Sequence, residues 1–411
     1  MRKLAGLHRV VGFGASMALL AIASLLLIPV MMKASGSVAW GAVALGQSLG
    51  GVGSVVVGYG WNMAGPAQLA GANPTEARRQ FIESLVARLV LFLPVCAVVV
   101  IASMLSAQPG HGGLAALGAV SSATVGLSAN WFFVGAVQPW TLLATETIPR
   151  VLGTVLGMAL MLLGGSAMVG VAGQLMGMVL AVAVSTVWVL HRLRQQGATA
   201  SATRPVRQVL VAQRDGVVAS VAGSLMSALP IVIVAHANPA AQPMFAFVDK
   251  LQRQMSVALT PFVTALQGWV PRGDRVARGR KTLWAGLGLC TLLSLFIFGL
   301  APLLTRVLGG GVITTSWPLN AAMAVFVGLG TYELMLSHVV LSTFQRLRFV
   351  ATATLTTGIA SLVAIAPAAI RWQAGGALVA VLAGLALRAV VEVVESVRAL
   401  GRAEASSNEA G

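Results

Sequence analysis

The residues in this chain that could do chemistry are few, and they sit in unusual surroundings. Glu83, Arg88, Glu146, Arg150, Asp249, Lys250, Arg253, Glu333, Arg388 and Glu392 all fall inside long apolar stretches. An ionisable side chain at membrane depth costs about 2.5 to 3.5 kcal/mol on the insertion scale, so each of these needs a partner or a watery cavity. Three pairs have the spacing to neutralise themselves on one helical face: Glu146 with Arg150, Asp249 with Arg253, and Arg388 with Glu392. For the first pair a structural and a functional role stand open equally. For the last, whose charges lie towards the cytoplasmic end of their span, structural pairing is the better reading.

Asp249, Lys250 and Arg253 form a different case, because two cations there face one anion in the outer or middle part of a span, too far in to reach the cytoplasmic surface. Turned towards a cavity, Lys250 and Arg253 suit a phosphate or other anionic head group, since ammonium and guanidinium both pair with phosphate oxygens. The alternative is a lining that only completes an ion-pair network. Glu333 has no basic residue four positions away, which makes it the natural protonatable or cation-binding group for coupling. The plainer reading gives it a partner on another helix, and Arg88 is available for that. The sequence has no metal-ligand cluster, phosphate-binding glycine loop or nucleophile motif, and its five histidines are scattered over loops and ends. No catalytic residue, metal or cofactor is therefore expected. Energy must come from an ion gradient, the membrane potential or removal of substrate on the far side.

The elements that must position these groups follow from composition. Hydrophobic residues make up 57% and charged residues only 9%, against about a quarter charged in soluble domains. A spanning helix takes about 20 mostly apolar residues, and the apolar runs give spans near 12–32, 38–59, 81–105, 114–134, 141–163 and 169–189. A second set lies near 216–235, 244–270, 282–304, 318–341, 349–368 and 375–397. The expected fold is an all-α polytopic membrane protein of about twelve transmembrane helices, in two six-helix lobes around a central cavity. Its parts are an N-terminal lobe over 1–195, a cytoplasmic linker over 196–208, a C-terminal lobe over 209–402 and a cytoplasmic tail over 403–411.

The charges fix an orientation. With the N-terminus inside, the cytoplasmic breaks hold Arg78 and Arg79, the run from Arg192 to Arg214, the run from Arg272 to Lys281, Arg346 and Arg348, and Arg398 and Arg402. The outer breaks hold only Lys33, Arg306 and Arg371. This is the positive-inside asymmetry over both halves, with both termini cytoplasmic in a bacterial inner membrane. The first span is too long for a secretory signal and reads as an uncleaved helix. The net charge of +16 is spread over these breaks, so it speaks for orientation among membrane lipids and against a nucleic-acid partner. Cys96 and Cys290 lie in different apolar runs and read as packing residues.

Three stretches also carry a resemblance. The second span runs through Gly46, Gln47 and Ser48 to Gly58, Tyr59, Gly60, Trp61 and Asn62, with Pro66 to Ala70 after it. Asn130, Trp131, Phe132, Phe133 and Gly135 precede Pro149 and Arg150. Phe245 to Arg253 leads to Pro261, Pro271 and Arg272. Together they resemble the O-antigen and polysaccharide repeat-unit flippases of the multidrug, oligosaccharidyl-lipid and polysaccharide (MOP) exporter superfamily. The resemblance implies two six-helix lobes around a cavity that opens alternately to each face, and a polyprenyl-pyrophosphate-linked oligosaccharide as cargo for O-antigen or other surface polysaccharide. It implies cationic residues that receive the pyrophosphate; joined to the buried charges above, this gives Arg88, Arg150, Lys250 and Arg253 as the expected head-group contacts, Asp249 or Glu333 as the ion-coupling group, and a polysaccharide polymerase and glycosyltransferases as partners. Trp131, Phe132 and Phe133 read as packing or an interfacial belt before they read as a sugar-stacking platform.

Two rivals compete with this reading. Asp274, Arg275, Arg278, Gly279, Arg280 and Lys281 are similar to the basic loop of major facilitator transporters, although the spacing is off by a residue and the first half lacks a copy. A multidrug exporter of the MOP superfamily would keep the fold and carry organic cations, for which acidic and aromatic walls are expected instead of basic ones.

Overall fold

The computed structural model describes residues 2–199, 202–272, 274–311 and 315–408, and among them every regular element is helical. The first helix, α1 (Arg2–Gly58), and the last, α13 (Leu347–Asn408), have 57 and 62 residues. At 1.5 Å per residue either would far exceed a hydrocarbon layer of about 30 Å. Both are broken where the backbone leaves helical geometry. In α1 the break is Gly36, whose φ of 81° suits a residue without a Cβ; in α13 it is Trp372 and Gln373. Each therefore supplies two of the expected spans.

Between them lie α2 (Trp61–Leu69), α3 (Pro74–Ser106), α4 (Gly112–Ala123), α5 (Asn130–Gly135), α6 (Pro139–Leu142), α7 (Ile148–Leu162), α8 (Ala167–Gln195), α9 (Val206–Ala237), α10 (Gln242–Trp269), α11 (Arg275–Leu308) and α12 (Trp317–Met335). Helices α6 and α7 are joined by a π turn, Leu143–Thr147, into one continuous rod, and a second π turn, Leu336–Leu341, extends α12. Among the described residues, eight stretches are long and apolar enough to cross a membrane. Splitting α1 and α13 at their breaks adds two more. The α6–α7 rod and the more polar α10 bring the total to twelve, in the expected order.

Three local features depart from a plain reading of the apolar runs. The short α2 comes after a turn in which Tyr59 and Gly60 both have positive φ, so the Tyr-Gly pair that ends the second span breaks the helix there. The fourth span is not one helix: α4 passes through a 3₁₀ turn, Thr124–Leu127, and stops at Ser128 before α5 begins. Asp274, in the loop similar to that of the major facilitators, is the N-cap of α11 and accepts from the amides of Val276 and Ala277 at 3.0 Å.

The chain forms two compact units, Met1–Ala235 and His236–Gly411. In the first, helices meet almost backbone to backbone. A Cβ on Gly46 or Gly50 of α1 would lie 1.9 or 2.2 Å from the carbonyl oxygen of Ala115 or Ala119 in α4, and Gly153 and Gly157 of α7 face Gly170, Gly173 and Gly177 of α8 in the same way. Small residues at four-residue spacing serve this purpose in membranes, where dispersion contacts and not water expulsion hold helices together. Helix α9, which the span count assigns to the 209–402 lobe, packs with this first unit. Gln213 donates to Gln68 at 3.2 Å, and Val209 lies in the cluster around Trp61 and Trp131. In the second unit α11 packs on α12, and α12 on α13 and α10. Helix α13 continues through the expected tail to Asn408, where Arg280 of α11 binds Glu404 at 2.6 Å.

Candidate functional site

In the first unit the charged centre is built around the break in the fourth span. A helix that stops inside an apolar layer leaves carbonyls and amides without partners, and water is not there to take them. Arg88 of α3, only 1% exposed, takes the carbonyls: Nη1 donates to Gly126 O at 3.2 Å and to Ser128 O at 2.7 Å, and Nε to Ser84 O at 3.2 Å. Glu146, also 1% exposed, takes the amide side. It accepts from Ala129 N at 2.5 Å and from the Ser128 hydroxyl. Arg88 and Arg150 both lie within Coulombic reach of Glu146, so two guanidiniums surround one carboxylate whose oxygens are already engaged. Arg88 Nη2 and Arg150 Nε make no hydrogen bond within the protein.

Arg88 is thus enclosed and clamps the backbone, while Arg150, the more exposed of the two, keeps an uncommitted donor. The expected bond between Glu146 and Arg150 is replaced by the bonds to Ser128 and Ala129. Glu146 lies in the π turn, and one extra residue in a turn rotates the helix before it by about 100° relative to the helix after it.

The second unit holds the other expected groups. On α10, Arg253 Nε meets Asp249 Oδ2 at 2.7 Å, the four-residue pair legible in the sequence, with side chains 37% and 16% exposed. Lys250, half-buried, lies within electrostatic range of both. The face therefore carries two cations and one anion, whatever the pairing.

Glu333 has its partner on another helix of its own unit. Arg388 of α13 forms its ion pair and also reaches Glu392 Oε1 through Nε at 2.9 Å. The π turn after α12 brings Ser337 into the same cluster, its Oγ 2.9 Å from Glu333 Oε1 and 2.9 Å from both oxygens of Glu392. Arg388 Nη2 donates to that hydroxyl at 3.2 Å. The Glu392 carboxylate is fully enclosed. Here two carboxylates share one guanidinium, so the charge excess is opposite to that on α10. Sequence reasoning missed the parts played by Ser128 and Ser337, and it paired Glu392 with Arg388 without joining Glu333 to them. The only signal for the serines was a small polar residue close to the end of an apolar run.

The aromatic stretch is core. Trp131, Phe132 and Phe133 are 1%, 5% and 0% exposed and pack with Trp61 and Phe81, which places them in packing and not in an exposed belt.

Comparison with known proteins finds no matching family model and no matching curated protein. Solved structures do match over nearly the whole chain. A MATE transporter solved in complex with MaL6 superposes with a TM-score of 0.60 at 14% identity, covering 97% of this chain and 96% of that one. An inward-facing multidrug resistance MATE family transporter of the MOP superfamily gives 0.59 at 15% identity, with 99% and 96% covered. A MOP superfamily transporter from Pyrococcus furiosus, described by the reverse polarity of its binding pocket, gives 0.58 at 13% identity, with 96% and 95% covered. The chain has the all-helical fold of MATE transporters of the MOP superfamily.

Proposed function

We propose that this protein is a membrane exporter working by alternating access, and that its cargo is an anionic lipid-linked oligosaccharide, a polyprenyl-pyrophosphate repeat unit for a cell-surface polysaccharide. The fold supports export. The observation that carries the cargo is the cation excess on α10, where Lys250 and Arg253 stand against Asp249 alone. Lys250 and Arg253 receive the pyrophosphate, and in the first unit Arg88 holds the helix break beside Arg150. Asp249 or Glu333 carries the coupling ion. The reverse polarity noted for the Pyrococcus furiosus transporter is a reason to let the charge of the site decide the cargo where the fold does not. No covalent chemistry is required, and the polymerase and glycosyltransferases that make and use such a unit are the expected neighbours in the membrane.

A second reading has its own observation. The Glu333, Glu392 and Arg388 cluster sets two carboxyl groups against one guanidinium, which, when both are ionised, suits an organic cation and hence a multidrug exporter. One experiment separates them: mass spectrometry of polyprenyl-pyrophosphate glycans, with surface polysaccharide and drug sensitivity measured in parallel, in cells with and without the gene. Accumulated lipid-linked glycan with lost polymer supports the flippase. Unchanged glycan with raised drug sensitivity supports the multidrug exporter and overturns the first reading.

A further inference from the structure

We propose that Glu333 and Glu392 form a one-proton site with the Ser337 hydroxyl between them, and that this proton is the coupling ion. The second half rests on the transporter reading above; the first stands on the geometry alone.

The argument is a count of hydrogens. A serine hydroxyl has one hydrogen to give, yet Ser337 Oγ lies 2.9 Å from Glu333 Oε1 and 2.9 Å from both oxygens of Glu392. Arg388 Nη2 approaches the same oxygen as a donor at 3.2 Å. With both glutamates ionised, Oγ can satisfy one of them and must face the other acceptor with no hydrogen between. Two anions would also meet a single guanidinium in an enclosed place, and an uncompensated buried charge is costly. One proton on the pair removes both faults. The protonated carboxyl donates to Oγ, Oγ donates to the other carboxylate, and the cluster becomes neutral. Such a proton belongs to the pair and not to either residue.

Neutral side chains pack beside the cluster: Gln252 of α10 lies against Gly330 and Ser294 of α11 against Gly328. Further titratable groups on the elements packed here include Asp249, Lys250 and Arg253 of α10, and His338, which follows Ser337 in the π turn. Glu395, one turn beyond Glu392, is engaged by Arg346 at 3.4 Å and Arg402 at 3.7 Å. The Arg388 guanidinium within the cluster repels a metal cation but tolerates a proton added to a carboxylate.

The test is infrared spectroscopy of the full-length protein in lipid nanodiscs, reading the carbonyl stretch of protonated carboxyl groups. Wild type should show one such band that shifts in heavy water. It should be lost in Glu392→Gln and equally in Glu333→Gln, because either variant leaves one carboxylate matched to Arg388. Glu333→Gln, at the more exposed edge of the cluster, guards against a Glu392 variant that does not fold. Absence of the band in wild type, or its survival in both variants, overturns the site. For the coupling, proteoliposomes containing a pH-sensitive dye receive a short polyprenyl pyrophosphate or, in a second arm, ethidium. Proton movement with either probe that is lost in Glu392→Gln supports it. Probe transport without proton movement overturns the coupling while leaving the site in place. Proton movement with ethidium alone overturns the flippase reading and neither part of this one.

Discussion

Glu83 of α3 binds Arg204 three times: it accepts from the backbone amide at 2.8 Å, from Nη2 at 2.8 Å and from Nε at 3.1 Å. Arg204 lies in the segment joining α8 to α9, where the carbonyl of Thr199 also accepts from Arg78 at 3.1 Å. The linker is therefore strapped to the start of α3. The carboxylate is fully enclosed and the guanidinium is 47% exposed. The hydrogen bonds to Glu83 raise the Arg204 pKa further above its ordinary value, so the arginine end of the strap does not loosen at any physiological pH.

That asymmetry of exposure sets the first prediction. Arg204→Ala strands a buried carboxylate and should destabilise the first unit by about 1–3 kcal/mol. Glu83→Gln leaves a neutral group that still accepts from the Arg204 amide, and should cost less. Thermal unfolding in detergent gives the ranking, and trypsin should cut the 196–208 segment faster in both variants. Equal stability in the two would mean that the pair is only a surface contact.

The break between α4 and α5 supports the second prediction. Arg88→Ala removes the donors for Gly126 O and Ser128 O and leaves two enclosed carbonyls unsatisfied, a loss of about 1–3 kcal/mol each. Arg88→Lys restores charge but not the fork that reaches two carbonyls, so it should recover only part of the stability. The double variant Arg88→Ala with Glu146→Ala should fall short of the sum of the single losses, because the two side chains serve one break. Additive losses would show that they act separately.

Packing gives the third. At Gly153 a Cβ would lie 2.5 Å from Gly173 O and 2.5 Å from Gly177 Cα, so Gly153→Val should cost about 1–3 kcal/mol or more through overpacking. Gly299 in α11 has nothing within 4 Å of its missing Cβ. There Gly299→Ala should be neutral or should stabilise by about 0.5–1 kcal/mol through helix entropy. Folded yield and melting temperature of the two variants check the contrast.

Much of this architecture was legible because apolar runs and positive loops are local signals. The runs gave the helices and their order, and the four-residue spacing gave Asp249 with Arg253 and Arg388 with Glu392. What was not legible depends on geometry that apolar composition cannot encode. A broken helix and a continuous one share the same hydrophobicity, so 114–134 read as a single span. A π turn slips the register, so Glu146 read as a partner of Arg150. Glu333 and Arg388 are brought together only by the packing of α12 on α13, and no spacing along the chain announces it. The plainer reading of Glu333, a partner on another helix, holds, but the partner is Arg388 and not Arg88.

The charge balance on α10 gives the last prediction. Arg253 is held by Asp249 at 2.7 Å, so a phosphate arriving at this face competes with a carboxylate for the guanidinium. Removing a cation should remove a charge-assisted hydrogen bond of about 1.5–3 kcal/mol, which is roughly a 10- to 100-fold loss of affinity for a polyprenyl pyrophosphate in Lys250→Ala or Arg253→Ala. Asp249→Asn should act in the opposite sense, releasing Arg253 and tightening pyrophosphate binding while weakening any organic cation. Calorimetry on the purified protein, with a short polyprenyl pyrophosphate and with ethidium, reads both directions. Tighter ethidium binding in Lys250→Ala, together with unchanged pyrophosphate binding, would make α10 a lining for cations and transfer the cargo to the multidrug class.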